Sequence, residues 1–95
     1  MTLYLNDLGL LCAAGNSRSE AIKRLLAGDR SGLIATDTFG PMTIVGQCTD
    51  ELPEIDQHYS IYDCRNNRLL LAALSQVRAT VSSMIAKFGI DRIGV

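Results

Sequence analysis

The strongest constraint in this sequence lies towards its C-terminal end. Leu70, Leu74, Val77, Val81, Met84 and Phe88 recur at spacings of four and three. That spacing returns side chains to one side of a 3.6-residue turn, and it predicts a single helix from about Arg65 to Phe88 with a continuous apolar stripe. Around residues 69–74 apolar side chains encircle the axis, so the first turns are expected to be covered on most sides. Further along, Arg78, Ser82, Ser83 and Lys87 restore a wet face. Asp63 or Ser60 is available as an N-cap, and Gly89 stops the helix. The following Ile90-Asp91-Arg92-Ile93-Gly94-Val95 reads as a short turn and the start of a strand. A long helix feeding a strand is part of a crossover unit, which delivers a parallel strand into a sheet.

The preceding segments extend this mixed pattern. Residues 3–11 are rich in Leu without a helical stripe and run into the turn-forming pair Gly15-Asn16, which predicts an N-terminal strand buried on both faces. Ser17-Arg18-Ser19-Glu20 is a capping box: the Ser17 hydroxyl takes the Glu20 amide proton while the Glu20 carboxylate reaches back. A helix is expected to begin there, with Ala21, Ile22, Leu25 and Leu26 on one face and Gly28 in the left-handed position that ends it. Leu33-Ile34-Ala35 and residues 42–48 have strand composition and are expected to pair as a hairpin across residues 37–41. Asp50-Glu51-Leu52-Pro53-Glu54 opens an acidic loop that carries His58, Tyr59 and Tyr62.

Composition excludes several classes. With 95 residues, 47% of them hydrophobic and a net charge of -1, the chain is neither disordered nor larger than one small domain. Nine basic residues against ten acidic ones, without a block of either, leave no electrostatic footprint for nucleic acid. No uninterrupted apolar run approaches the roughly 20 residues of a membrane span. The three cysteines, Cys12, Cys48 and Cys64, are odd in number and fit no metal-ligand spacing, with His58 the one histidine. The expected setting is a reducing one, the cytoplasm. The N-terminus lacks the basic start of a signal peptide.

Candidate chemistry is sparse. Gly9 and Gly15 are too far apart for a dinucleotide fingerprint, and no Lys-Ser or Lys-Thr pair follows Gly15 as a P-loop requires. The amides at the first helix start remain able to greet an anion. Cys64, beside Arg65 at the start of the long helix, comes nearest to an activated thiol, but buried cysteines more often act as small hydrophobes. His58 reads as a solvated loop residue, Asp50, Glu51, Glu54 and Asp56 as a solvated acidic stretch, and Arg65 and Arg68 as ion-pair anchors. The residues alone form no catalytic, cofactor or metal constellation.

The order of these pieces resembles the N-terminus of β-ketoacyl-acyl-carrier-protein synthases. Those enzymes open with a strand carrying a Leu-Gly pair, a Gly-Asn turn, a capped helix and a Leu-Leu-Ala-Gly…Ser-Gly-Ile/Leu ending. Leu8, Gly9, Gly15, Asn16, Leu25, Leu26, Ala27, Gly28, Ser31 and Gly32 match in register. Arg65, Arg68, Leu69, Ala72 and Ala73 look like the family's long helix, and Asp91-Arg92-Ile93-Gly94-Val95 resembles the strand entry after it. Two departures stand out: Cys12-Ala13 replaces a Ser-Pro pair, and Asp7 stands where a glycine is usual. They suggest a divergent branch of the family, and the resemblance implies a place in fatty-acid, polyketide or polyene biosynthesis.

The resemblance implies a partial thiolase-like α/β fold: an N-terminal strand, a capped helix, a β-hairpin region, the long helix and the start of a further strand. Residues 1–95 are then a single incomplete domain, the N-terminal scaffold of a longer ketosynthase. The family's nucleophilic cysteine and two histidines lie beyond Val95, so no catalytic residue carries over to Cys12, Cys48, Cys64 or His58. The implied partners are acyl carrier protein, met through the full-length enzyme, and a homo-oligomeric or heterodimeric mate. Two other readings stay open: a chain-length-factor subunit without a nucleophile, and a stand-alone interaction domain that recruits a protein through residues 50–62.

Overall fold

The computed structural model describes all residues 1–95 and contains helices together with one two-stranded antiparallel sheet, a mixed α/β arrangement. Helix α1 is Arg18–Leu26. Its N-cap is Ser17, whose hydroxyl accepts from the Glu20 amide at 3.2 Å. The Glu20 carboxylate folds back onto the amide of Asn16 at 3.0 Å, one residue earlier than the capping-box expectation. At the other end Gly28 takes φ +67°. Its amide bonds to Leu25 and that of Asp29 to Arg24, the paired closure of a Schellman motif.

Strands β1 (Leu33–Thr36) and β2 (Thr43–Gly46) form the expected hairpin, with Leu33 opposite Gly46 and Thr36 opposite Thr43. Gln47 donates to Gly32 beyond the end of the strands. The acidic loop is not wholly irregular. Asp56 accepts from the His58 amide at 2.8 Å and caps a 3₁₀ segment, Gln57–Tyr62, where an irregular loop is expected.

Helix α2, Arg65–Phe88, has the predicted bounds, and Gly89 closes it with φ +89°. Its N-cap is Cys64 and makes no side-chain hydrogen bond. Asp63, one of the expected caps, is instead held by both Nε and Nη2 of Arg68, each at 2.6 Å. By length and composition α2 is apolar enough to cross a membrane, with a mean hydropathy of 1.5 over its best 18-residue window. Counting uninterrupted apolar residues misses this, because Gln76 and Arg78 break the run without lowering the average far. The core helix of a soluble protein shares these properties.

Two expected strands are corrected. Residues 1–11 form no strand, and no backbone-to-backbone hydrogen bond involves them. After Gly89 a 3₁₀ turn, Ile90–Arg92, leads into Ile93, which is extended but unpaired. A strand is defined by its ladder, and neither segment meets another edge within these 95 residues.

The fold buries very little. Ala21 and Val77 are its buried hydrophobic residues, while Leu3, Leu5, Leu26, Ile44, Ile61 and Leu70 stand mostly exposed. The chain exposes 7859 Å², against roughly 5,400 Å² for a compact monomer of this mass. Its radius of gyration is 16.7 Å, against about 12 Å for a compact domain of this length.

Candidate functional site

The most apolar concavity lies along the apolar stripe of α2. Leu70, Leu74, Val77, Val81 and Met84 make its floor, residues 4–9 one wall and residues 92–95 the other, enclosing about 430 Å³. The floor follows from the four-three spacing, which aims these side chains to one side of the helix. It is open to solvent at the end nearer the start of α2, where Leu70 is 66% exposed and Leu74 36%, and it is closed over Val77.

The N-terminal wall is fastened by side chains. Gln76 Oε1 accepts from the Leu10 amide at 3.0 Å, while its Nε2 donates to the carbonyls of Leu10 at 2.9 Å and Asn16 at 2.6 Å. One turn along, the Thr80 hydroxyl donates to Asp7 Oδ2 at 2.5 Å, and Asp7 Oδ1 accepts from the Leu8 amide at 2.8 Å. The Thr80 hydroxyl first, then the Leu8 amide and the nearby Arg18 guanidinium, hold the Asp7 carboxyl below the usual range. Between these two fastenings Gly9 crosses α2 so closely that a Cβ would collide with the carbonyl of Ala73.

Sequence reasoning missed Gln76 and Thr80 as fastening points. The available signal was a glutamine beside Val77 inside an otherwise apolar stretch, because a long amide in such a place usually answers a backbone partner.

The residues singled out for chemistry are scattered. Cys12 and Cys48 are half-buried, Cys64 is exposed, and all three are free thiols. The His58 ring packs edge-on against Tyr59 at 5.0 Å and hydrogen-bonds to no cysteine. No group of three His, Cys, Asp or Glu side chains is placed to hold a metal ion. The α1 start, considered for an anion, carries the Glu20 carboxylate on the Asn16 amide, which occupies that amide with a negative charge of the chain's own. Asp50, from the acidic stretch, accepts from the Asn16 side chain at 3.2 Å.

At the start of α2 the two arginines act as anchors. Arg65 donates to the carbonyl of Cys48 at 2.6 Å, tying the hairpin's exit to the helix. Arg68 holds the Asp63 carboxyl below its ordinary range, and its own guanidinium is raised in return. The strongest local carboxylate trap is at the end of α1. The Ser31 amide and hydroxyl, followed by Arg24, bring Asp29 down to about 2. These contacts brace turns, and they leave the α2 groove as the one sizeable apolar surface organised from several segments. Comparison with protein families, with curated proteins and with solved structures found no match to this chain.

Proposed function

We propose that this chain is the N-terminal scaffold segment of a β-ketoacyl-acyl-carrier-protein synthase with a thiolase-like fold. The observation that carries the reading is the exposed apolar surface of an otherwise ordered chain. The total accessible surface exceeds that of a compact monomer by roughly 2,500 Å², and covering that much against a second body would bury about 5,000 Å² in total, the range of obligate interfaces. The reading assigns that cover to the remainder of the enzyme, which would also give residues 3–11 and Ile93 their missing strand partners. It places α2 beneath protein rather than lipid, in a cytoplasmic enzyme. The order of capped helix, hairpin and long helix agrees with the residues that carry the resemblance.

The full-length enzyme would load an acyl group by attack of its cysteine thiolate on an acyl thioester, releasing the carrier thiol. Malonyl-acyl-carrier protein would then lose carbon dioxide with help from two histidines. The resulting carbanion attacks the acyl-enzyme and expels the thiolate, leaving the β-ketoacyl carrier protein. None of these groups is assigned to residues 1–95, and the segment alone is inert in this reading.

The test is peptide-resolved mass spectrometry after exposure to an acyl thioester. Protein translated from the whole reading frame should carry the acyl group on a cysteine outside residues 1–95, with Cys12, Cys48 and Cys64 unmodified. Stoichiometric acylation of any of those three, or an unmodified protein that still assembles with acyl carrier protein, would overturn the enzyme reading. The second outcome would favour the chain-length-factor subunit.

A further inference from the structure

The N-terminal wall of the α2 groove rests on an unusual footing. Residues 1–11 make no backbone-to-backbone hydrogen bond, so nothing of a β ladder holds them. Leu3 and Leu5 are 84% and 102% exposed, so they gain little by staying in place. What retains the segment is a pair of side chains four residues apart on one helix, Gln76 and Thr80, which grip Leu10 and Asp7 respectively. Positions four apart share a helix face, so both grips act on the same side of α2.

We propose that Asp7, Thr80 and Gln76 form a two-point latch that holds the N-terminal segment as the movable wall of the groove over α2. The grips are coupled, because Gly9 lies between them in van der Waals range of the Ala73 carbonyl. Lifting one end therefore raises the other. Asp7 is also the joint at which α1 meets the latch, through Arg18 at 4.0 Å, and Arg92 is the charged residue of the opposite wall. With the wall down, the groove over Val77 is a bounded slot. With it lifted, the stripe of α2 becomes an open face. The device rests on contacts within residues 1–95 and not on the ketosynthase reading, and a further body that paired residues 3–11 in a sheet would hold the wall down.

Its acid response follows from the lowered Asp7 carboxyl. A depressed folded value means that the latch is closed above the ordinary carboxylate range and opens as pH falls through that lowered value. Arg18 supports the closed form, since it favours the charged carboxylate.

The test is amide hydrogen exchange at Leu10 in the 95-residue chain, read by NMR and corrected for intrinsic exchange. Leu10 is gripped by Gln76, not by Thr80, so it reports whether the two points act together. Thr80→Val removes the hydroxyl while keeping the shape, and should speed Leu10 exchange roughly 3- to 10-fold, the equivalent of one net hydrogen bond. Thr80→Ser should restore protection. Asp7→Ala, which leaves α2 itself unaltered, should match Thr80→Val, and both should lose the acid-induced step in Leu10 protection. Unchanged Leu10 exchange in Thr80→Val and Asp7→Ala would overturn the latch, as would Thr80→Ser behaving like Thr80→Val.

Discussion

Gly9→Ala tests how the N-terminal segment sits on α2. The added Cβ would meet the Ala73 carbonyl, a backbone atom inside a helix that cannot withdraw. Gly9 is not among the glycines with positive φ, so the effect is steric rather than conformational. To reach ordinary van der Waals separation the segment must lift by on the order of 1 Å. The two Gln76 bonds to Leu10, now 3.0 and 2.9 Å, would then stretch past hydrogen-bonding range. Each such bond contributes about 0.5–1.5 kcal/mol net, so losing both costs about 1–3 kcal/mol, with the lower end expected because the site is solvent-exposed. That corresponds to at least a roughly fivefold faster exchange of the Leu10 amide. Gly94→Ala is the matched control, since a Cβ there meets nothing within 4 Å. Equal Leu10 exchange in Gly9→Ala and the unaltered chain would refute the close crossing and with it the geometry of the groove wall.

Three further outcomes are expected. Cys64→Ser should stabilise α2 by about 0.5–1 kcal/mol, seen as a higher urea midpoint at 222 nm, because the present N-cap makes no side-chain hydrogen bond. Gly28→Ala should lower the α1 contribution to helical ellipticity at a cost of about 1 kcal/mol, since open space surrounds it and only its φ of +67° resists a side chain. Asp29, brought down to about 2 by Ser31 and Arg24, should hold the end of α1 at neutral pH and release it between about pH 4 and pH 2. A carboxyl carbon titration showing Asp29 near an ordinary aspartate value would contradict that brace.

Local chemistry was legible from the residues. Ser17 with Glu20 marked the start of α1, Gly28 its end, and the turn-rich residues 37–41 the hairpin, because each depends on neighbours a few positions away. The four-three spacing and Gly89 gave both ends of α2. What depends on distant partners was not legible. Residues 3–11 have strand composition, but a ladder needs an opposing edge, and here the Gln76 side chain provides the only answer to the Leu10 backbone. Asp63 looked like a cap, yet Arg68 claims both its oxygens, so the cap falls to Cys64. The short 3₁₀ segment after Asp56 has no apolar period to announce it. At the candidate site the apolar floor was readable from spacing, whereas the pairing of Asp7 with Thr80, 73 residues apart in sequence, was not.

The central claim is that this chain's apolar faces belong against a further protein body. Small-angle scattering combined with sedimentation of the isolated 95-residue chain tests it most directly. The account predicts either self-association or a monomer with a radius of gyration near the 16.7 Å of this structure and dye-accessible apolar surface. A monodisperse monomer near 12 Å, unfolding cooperatively and binding no hydrophobic dye, would contradict it.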